Sequence, residues 1–273
     1  MSFLRPGLSI LSTQMKLSLQ YRLGAWAQLT TNIFWGFVHV VIIIVFYRYG
    51  ERSGAEVSMT LAQAVSYIWL GQIAIHLLPG YAIDPEIRDK IRNGDVGVEL
   101  CRPLDLYFHW YVRAAASRIG RFLLQVIPVA AVAMLLPEPY RLQPPVSLLG
   151  FLASCTSLFL GLLLSCALIG ISYVLLMQVN WGDGPVILLR TASEMLSGNY
   201  LPLQLWPVWA QRFLVAQPFA SLMDLPLRFY LGTLPPSALL RVGSMQIAWT
   251  LLFIAIGWLT TQMSLRRLVV QGG

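Results

Sequence analysis

The amino-acid sequence predicts an all-α, polytopic membrane protein with six transmembrane helices. Of its 273 residues, 57% are apolar and only 11% are charged, whereas an ordinary soluble domain has about 45–50% apolar and about 25% charged residues. The mean hydropathy is +0.66, and a water-soluble fold of this length could not bury so much apolar surface. Since no polar stretch is long enough to form a soluble domain, we interpret residues 1–273 as a single transmembrane domain.

Residues 1–24 predict an amphipathic helix that lies in the membrane interface before the first span. Leu8, Leu11, Met15 and Leu19 recur at helical spacing. Polar and basic residues separate them, so the continuous apolar core of a cleavable signal peptide is missing.

Six later segments are candidate spans: five reach the length of about 20 mostly apolar residues that a helix needs to cross a membrane, and the fifth in order is shorter. The first two, residues 25–47 and 61–82, lie within 25–82. The other four lie within 107–265 and are residues 107–136, 146–177, 186–200 and 242–265. Six prolines interrupt the apolar stretch between the last two, residues 201–240. Because proline breaks helices, we expect re-entrant or interfacial helices there, on the outer side. An ordinary apolar outer loop is the alternative.

The distribution of Lys and Arg predicts that both termini are cytoplasmic. With six spans, twelve of the 19 basic residues fall on one side. These include Arg113, Arg118 and Arg121, which lie in the first half of the third predicted segment but which we count with the connection after the second span. Six fall on the other side, and the richer side faces the cytoplasm. The net charge of +7 does not indicate nucleic-acid binding, because the basic residues are spread between apolar runs.

The sequence predicts neither a metal site nor a bound cofactor in this chain. Its three cysteines lack metal-ligand or redox spacing, and its three histidines lie on different segments. The dipeptide Gly-Lys never occurs, so the chain has no Walker A loop for a nucleotide.

Residues 84–104 form the most informative segment. Asp84 suits a helix N-cap, Pro85 the first helical position, and Gly94 the C-terminal stop. A helix of about nine residues is too short to be stable alone, so spans or a partner must hold it. A solvated loop helix without any partner is the alternative.

This short helix is highly charged. Glu86 and Lys90, and likewise Asp89 and Arg92, are spaced to pair across one turn. A second pair, Arg190 and Glu194, lies in the fifth predicted span. Ionisable groups at membrane depth are costly, so they either line a path or gate or form a structural ion pair.

Two motifs resemble those of permease subunits of bacterial ABC exporters of the type 2 class, in the branch with six spans. The first follows the second span and is Ile91-Arg92-x-Gly94-x-Val96-x-x-x-Leu100-x-Arg102-Pro103-Leu104. The second is Leu196-Ser197-Gly198-Asn199-Tyr200-Leu201-Pro202-Leu203, followed by Trp206-Pro207 and Gln217-Pro218-Phe219. The second is similar to that family's Gly-x-x-x-Pro turn after the fifth span and its later Pro-Phe.

The resemblance implies that residues 84–104 are a cytoplasmic coupling segment that docks on a separate ATPase. It assigns to this segment Asp84, Glu86, Arg88, Asp89, Lys90 and Arg92 on the helix, and Gly94, Arg102 and Pro103 at the return to the membrane. We predict that Gly198 and Pro202 of the second motif belong to the translocation path or gate, together with Arg190 and Glu194, for which a structural ion pair stays the alternative.

The resemblance also implies the partners and the location. Two copies of an ABC ATPase subunit would bind ATP and Mg, and a second permease subunit, identical or homologous, would complete a dimer in the bacterial inner membrane, surrounded by lipid. A secondary transporter and a membrane-embedded enzyme are the alternatives. The sequence shows neither the matching broken helices of the first nor the cluster of reactive groups of the second.

Overall fold

The computed structural model describes residues 22–52, 59–78, 83–100, 105–178 and 183–265. These residues form helices and turns without strands, which confirms the all-α prediction. The described part contains ten α-helices: α1 Arg22–Arg52, α2 Leu61–Ala74, α3 Pro85–Asn93, α4 Val96–Leu100, α5 Leu106–Leu135, α6 Leu148–Gln178, α7 Gly184–Leu196, α8 Val208–Ala216, α9 Asp224–Tyr230 and α10 Leu239–Leu265.

Four of these helices are long and apolar enough to cross a membrane. The qualifying stretches are Trp26–Gly50, Leu106–Leu135, Leu148–Gln178 and Pro236–Leu265. Exposed large apolar side chains such as Phe34, Ile42 and Leu251 lie on them, as expected of surfaces that face lipid. The chain is therefore a multi-pass helical protein by length and composition.

The predicted count of six spans is not confirmed. The predicted second span corresponds to α2, which has 14 residues and continues as a 3₁₀ turn over Ile75–Leu77; its residues 79–82 lie outside the described part. The predicted fifth span corresponds to α7, which has 13 residues. At about 1.5 Å per residue, α7 measures about 20 Å, less than the hydrocarbon core of about 30 Å.

Some predictions fall outside the described residues. Of the predicted interfacial helix, residues 1–21 are outside, and 22–24 already belong to α1. Arg102 and Pro103 are outside as well.

The proline-rich segment between α7 and α10 folds into short helices. Besides α8 and α9, it contains three 3₁₀ turns, at Leu203–Leu205, Pro218–Leu222 and Pro236–Ala238. Their depth in a membrane is not defined, so the re-entrant placement stays a prediction.

Helix α6 lies at the centre of the bundle. In its most apolar stretch 67% of the residues are buried, compared with 28% or less in the other three long helices. The Tyr107 ring of α5 is clasped between Gly170 of α6 and Gly257 of α10. A Cβ atom would lie 2.6 Å from ring atom Cε2 at Gly170 and 2.5 Å from it at Gly257. The two glycines therefore allow three long helices to meet at one point.

The bundle has two distinguishable ends. At the first, which we call the α3 end, the backbone N–H of Asp84 donates to the Tyr173 hydroxyl near the end of α6 (3.1 Å). At the opposite end, the Val146 N–H, just before α6, donates to the carbonyl of Tyr230 in α9 (3.4 Å).

Candidate functional site

Helix α3 has the predicted bounds and the predicted caps. The Asp84 carboxylate accepts the Glu86 backbone N–H (3.0 Å). Gly94 ends the helix with φ +79, and its N–H donates to the Ile91 carbonyl (3.4 Å). This left-handed conformation suits glycine because a side chain is strained there. Ile87 is completely buried beneath the helix.

Arg113 of α5 ties the N-terminus of α3 to the bundle. Its Nε lies 2.6 Å from Asp84 Oδ2, and its second nitrogen pairs with Glu86. Hydrogen bonds from Arg113 and then Lys90 lower the pKa of Glu86 to about 2. The prediction that Arg113 belongs to the connection after the second span is wrong, because it lies two turns inside α5. Its ion pairs with Asp84 and Glu86 stabilise the charge within the helix, and a count of basic residues does not show such pairs.

Lys90 connects α3 to α4. Its Nζ lies 2.6 Å from Glu86 Oε1, which confirms the predicted pair, and 3.0 Å from Glu99 Oε1. The other Glu99 oxygen accepts the Trp110 indole N–H (2.7 Å). Burial raises the pKa of Glu99, but the hydrogen bonds from Trp110 and Lys90 outweigh it and leave the pKa below its ordinary value. The ionised Glu99 is thus held under α3.

Asp183 ties the other face of α3 to α7. Arg88 pairs with Asp183 Oδ2, and Arg92 Nη2 lies 2.8 Å from Asp183 Oδ1. The expected pair between Asp89 and Arg92 is not formed among the described residues, because Arg92 turns towards Asp183 instead. Asp183 directly precedes α7. Sequence reasoning missed it, although two arginines one helical turn apart are a signal for an acidic partner elsewhere.

The predicted coupling residues therefore separate into two groups. Arg88, Lys90 and Arg92 pair with carboxylates of the chain itself, and Glu86 pairs with Arg113. Asp89 is exposed and forms no ion pair within the described ranges. The outward surface of α3 is thus small and polar.

A cavity of about 500 Å³ lies between α3, the end of α6 and the start of α7. Its polar wall consists of Arg88, Asp183 and Arg190, and its apolar wall includes Ile83, Leu176 and Val186. Both arginines there pair with carboxylates, so the wall is close to electrically neutral.

Arg190 and Glu194 form the expected ion pair on α7. Arg190 Nε lies 2.9 Å from Glu194 Oε1, and the Tyr200 hydroxyl donates to the other oxygen (3.0 Å). The side chain of Glu194 is only 10% exposed, whereas that of Arg190 is 48% exposed. The carboxylate thus faces inward and fixes the turn that follows α7.

Gly198 lies in that turn, at a buried polar cluster that the sequence did not predict. The Tyr67 hydroxyl is shared between the Gly198 carbonyl and Asp224 Oδ1, each at 3.1 Å. Asp224 is fully buried, and the same oxygen accepts the Leu203 N–H (3.1 Å). Pro202 precedes the 3₁₀ turn that presents this N–H. Gly198 and Pro202 therefore shape a binding pocket for the Asp224 carboxylate.

Arg118 is a second buried charge in an unexpected place. The prediction that it lies in a connecting segment is wrong, since it is within α5 and 0% exposed. Its guanidinium donates to the carbonyls of Leu77 and Leu78, the latter at 2.8 Å, and to Ser165. It therefore caps the carbonyl end of α2, where a positive charge is favourable. Arg121 also lies within α5 rather than in a connection.

His76 belongs to a buried polar group. Its Nε2 lies 2.5 Å from Gln125 Oε1, which also accepts from Asn32 Nδ2 (2.5 Å). Among the residues with described positions, no group of three His, Cys, Asp or Glu side chains could hold a metal ion.

No protein-family model matches the chain, and no match was found among curated proteins or among solved structures. The resemblance to exporter permeases therefore stays a prediction from the two motifs.

Proposed function

We propose that the chain is the transmembrane permease subunit of an ATP-driven exporter, in which α3 receives the movement of a separate ATPase subunit. The observation that carries the proposal is α3 itself. It is a capped, charged nine-residue helix, and it lies at the end of the bundle that the Lys and Arg distribution assigns to the cytoplasm. Its charges are tied to α4, to α5 and to the start of α7.

The ion pairs of α3 suit a mechanical connection. An element that transmits a partner's movement must be joined firmly to the elements it moves. Arg113 joins α3 to α5 through Asp84 and Glu86, and Asp183 joins it to α7 through Arg88. Several such pairs in one network hold better than one isolated surface pair, which contributes about 0–1 kcal/mol.

Helix α7 extends the connection towards the opposite end of the bundle. It begins at Asp183, and Ser197 directly follows its last residue. The Ser197 carbonyl accepts the backbone N–H of the buried Asp224 (3.1 Å). A displacement of α3 would therefore reach the Asp224 cluster through one rigid helix. Glu194 lies on that helix and Gly198 lies in the turn after it, and we propose both for the path or gate.

Six passes are part of the proposal. Although α2 is short, Gln63 near its start donates to the Leu231 carbonyl at the opposite end (3.4 Å), and Leu77 just beyond its end meets Arg118. Helix α7 likewise runs from the α3 end to the Asp224 cluster. Our proposal is that these two helices cross the membrane together with α1, α5, α6 and α10, which would make six passes with both termini cytoplasmic.

The surface available to an ATPase is the outward side of α3 and the turn after it. Asp89, Asn93 and Asp95 are exposed, and the side chains of Glu86 and Arg92 remain 56% and 48% exposed. A polar rim of this kind suits a subunit interface. ATP and Mg would bind to the ATPase, present in two copies, and a second permease subunit, identical or homologous, would complete the path in the inner membrane.

Copurification tests the proposal. The tagged full chain is purified in mild detergent from the membranes of its own source, and bound proteins are identified by mass spectrometry. We expect an ATPase with a Walker A loop to be retained in about equal amount. Asp89→Lys should reduce its retention at least about tenfold, equivalent to about 1.4 kcal/mol. Glu138→Lys, the same charge change on an exposed residue at the opposite end, should not.

Two results would contradict the proposal: recovery of the chain without any ATPase, or equal loss of the ATPase in both variants. The variant Arg88→Glu with Arg92→Glu is a poorer test of docking, because it also breaks both pairs with Asp183.

Asp183→Asn tests the connection separately from docking. It should leave ATPase retention unchanged but reduce the ATP-dependent change in hydrogen exchange of residues 197–203, since α3 would no longer hold α7. Glu138→Gln should leave that change intact. An undiminished change in Asp183→Asn would show that these ion pairs do not transmit movement.

A further inference from the structure

A second cavity, of about 470 Å³, lies at the opposite end of the bundle, among α8, α9 and α10. Three arginines line it, one from each helix: Arg212, Arg228 and Arg241. The remaining wall is largely apolar and includes Val215, Leu225, Leu234, Val242 and Met245. The cavity therefore combines a cationic part with an apolar part.

The positive charge of this cavity is not balanced by the described residues. Arg228 Nη1 lies 3.7 Å from Asp224 Oδ2, and its Nε is buried without a hydrogen-bond partner there. Arg212 and Arg241 form no ion pair within the described ranges. Among the described residues, only Arg228 of the three has a carboxylate partner, whereas both arginines of the cavity beside α3 pair with carboxylates. An anion would complete the site.

Helix α8 indicates where the anion comes from. Its outer surface carries Val208, Trp209 and Phe213, which are 70%, 79% and 72% exposed, and Trp206 just before it is 40% exposed. Exposed tryptophan beside basic residues is typical of helices that lie at the boundary between headgroups and acyl chains. Arg212 is on this same helix, so a membrane boundary at α8 would bring the cavity beside the lipid headgroups.

We propose that this cavity binds an anionic phospholipid from the outer leaflet. Its phosphate pairs with the guanidinium groups of Arg212 and Arg241, since the planar fork of arginine matches two phosphate oxygens. Its acyl chains lie along Val215, Leu234 and Met245. The inference goes beyond the proposed transport function, because the binding needs no ATPase.

The test measures lipid binding to the purified full chain in neutral detergent by native mass spectrometry. The probes are phosphatidylglycerol and phosphatidylcholine with identical acyl chains, and inorganic phosphate as competitor. We expect phosphatidylglycerol to bind at least about tenfold more tightly than phosphatidylcholine, and millimolar inorganic phosphate to displace it poorly, because phosphate lacks the acyl chains.

Two sets of variants locate the site. The double variant Arg212→Gln with Arg241→Gln should lower the preference for phosphatidylglycerol to less than about twofold. Arg48→Gln with Arg141→Gln removes the same charge from arginines that do not line the cavity and should keep the preference. Ala216→Trp fills the cavity but leaves every arginine in place, so it should weaken the binding of both lipids.

Several results would overturn the inference. Equal binding of phosphatidylglycerol and phosphatidylcholine would contradict it. Equal loss of the preference in both double variants would indicate an effect of general surface charge. Displacement of the lipid by inorganic phosphate at matching concentration would indicate a site for a free anion. Loss of a dimer in Ala216→Trp, with unchanged lipid binding, would identify the cavity as a subunit interface.

Discussion

Replacing Gly198 with alanine should strongly destabilise the fold, because a side chain has no room there. Gly198 has φ +88, and an added Cβ atom would lie 2.3 Å from the Tyr67 hydroxyl oxygen and 3.3 Å from Asp224 Cβ. Tyr67 is 1% exposed and Asp224 is fully buried, so neither can move into solvent.

The expected cost has two parts. Alanine in the left-handed region costs about 1–2 kcal/mol. The displaced Tyr67 hydroxyl gives up its hydrogen bonds to the Gly198 carbonyl and the Asp224 carboxylate, which costs about 1.5–3 kcal/mol because one acceptor is charged. The unfolding free energy of Gly198→Ala should therefore fall by about 2.5–5 kcal/mol.

A double-mutant cycle separates this mechanism from general damage. Tyr67→Phe removes the hydroxyl that the new methyl group would strike, so Gly198→Ala should cost about 2 kcal/mol less in that background. Unfolding of the purified full chain is followed by tryptophan fluorescence as the fraction of SDS in mixed micelles rises. Gly184→Ala is the control, since a Cβ there meets nothing within 4 Å. Additive costs, or a Gly198→Ala variant as stable as the control, would refute the reasoning.

Two further predictions concern charged groups at the α3 end and inside the bundle. Arg118→Met should lower the unfolding free energy by about 2–4 kcal/mol in the same assay, because the carbonyls of Leu77 and Leu78 lose their donor. The control Arg48→Met, on the surface, should change it by less than about 0.5 kcal/mol. Equal effects of the two substitutions would contradict the capping role. The pKa of Glu86 is lowered to about 2 from 4.5, so its contribution is present above pH 4.5 and lost as the pH falls towards about 2. Its exposed pairs give a difference of about 0.5–1 kcal/mol between wild type and Glu86→Gln, constant from pH 7 to 5 and shrinking below 4.5; a difference that persists at pH 2 would contradict this.

Local features of α3 could be predicted from the sequence because their determinants are neighbours in the chain. Asp84, Pro85 and Gly94 set the bounds of a helix within eleven residues, and the Glu86–Lys90 pair spans one turn. Helix caps and pairs one turn apart are determined by residues a few positions apart, so the sequence itself shows them.

The partners of α3 could not be predicted in the same way. Asp183 is 95 positions from Arg88, and only the packing of α6 and α7 brings them together. Asp224 is 157 positions from Tyr67 and lies in an apolar, proline-rich segment that gave no sign of a buried carboxylate. Arg118 was assigned to a connection because charge counting treats arginine as a boundary residue, whereas the free carbonyls after α2 make a buried position favourable.

The spans show a similar limit. Hydropathy identified the four long helices, but α2 and α7 end sooner than the apolar composition of their segments suggested. Helix α7 ends at Leu196 because Gly198 turns the chain towards Asp224. Such an end depends on a tertiary contact that composition does not record.

The location of α3 relative to the membrane is the most direct test of the proposed function. Asn93→Cys and Ser237→Cys place single exposed thiols at the α3 end and at the opposite end, in a background where Cys101, Cys155 and Cys166 are serine. Intact cells are treated with a membrane-impermeant maleimide, before and after permeabilisation. We expect labelling of Ser237→Cys in intact cells and labelling of Asn93→Cys only after permeabilisation. Labelling of Asn93→Cys in intact cells would place α3 outside the cytoplasm, where no ATPase could reach it.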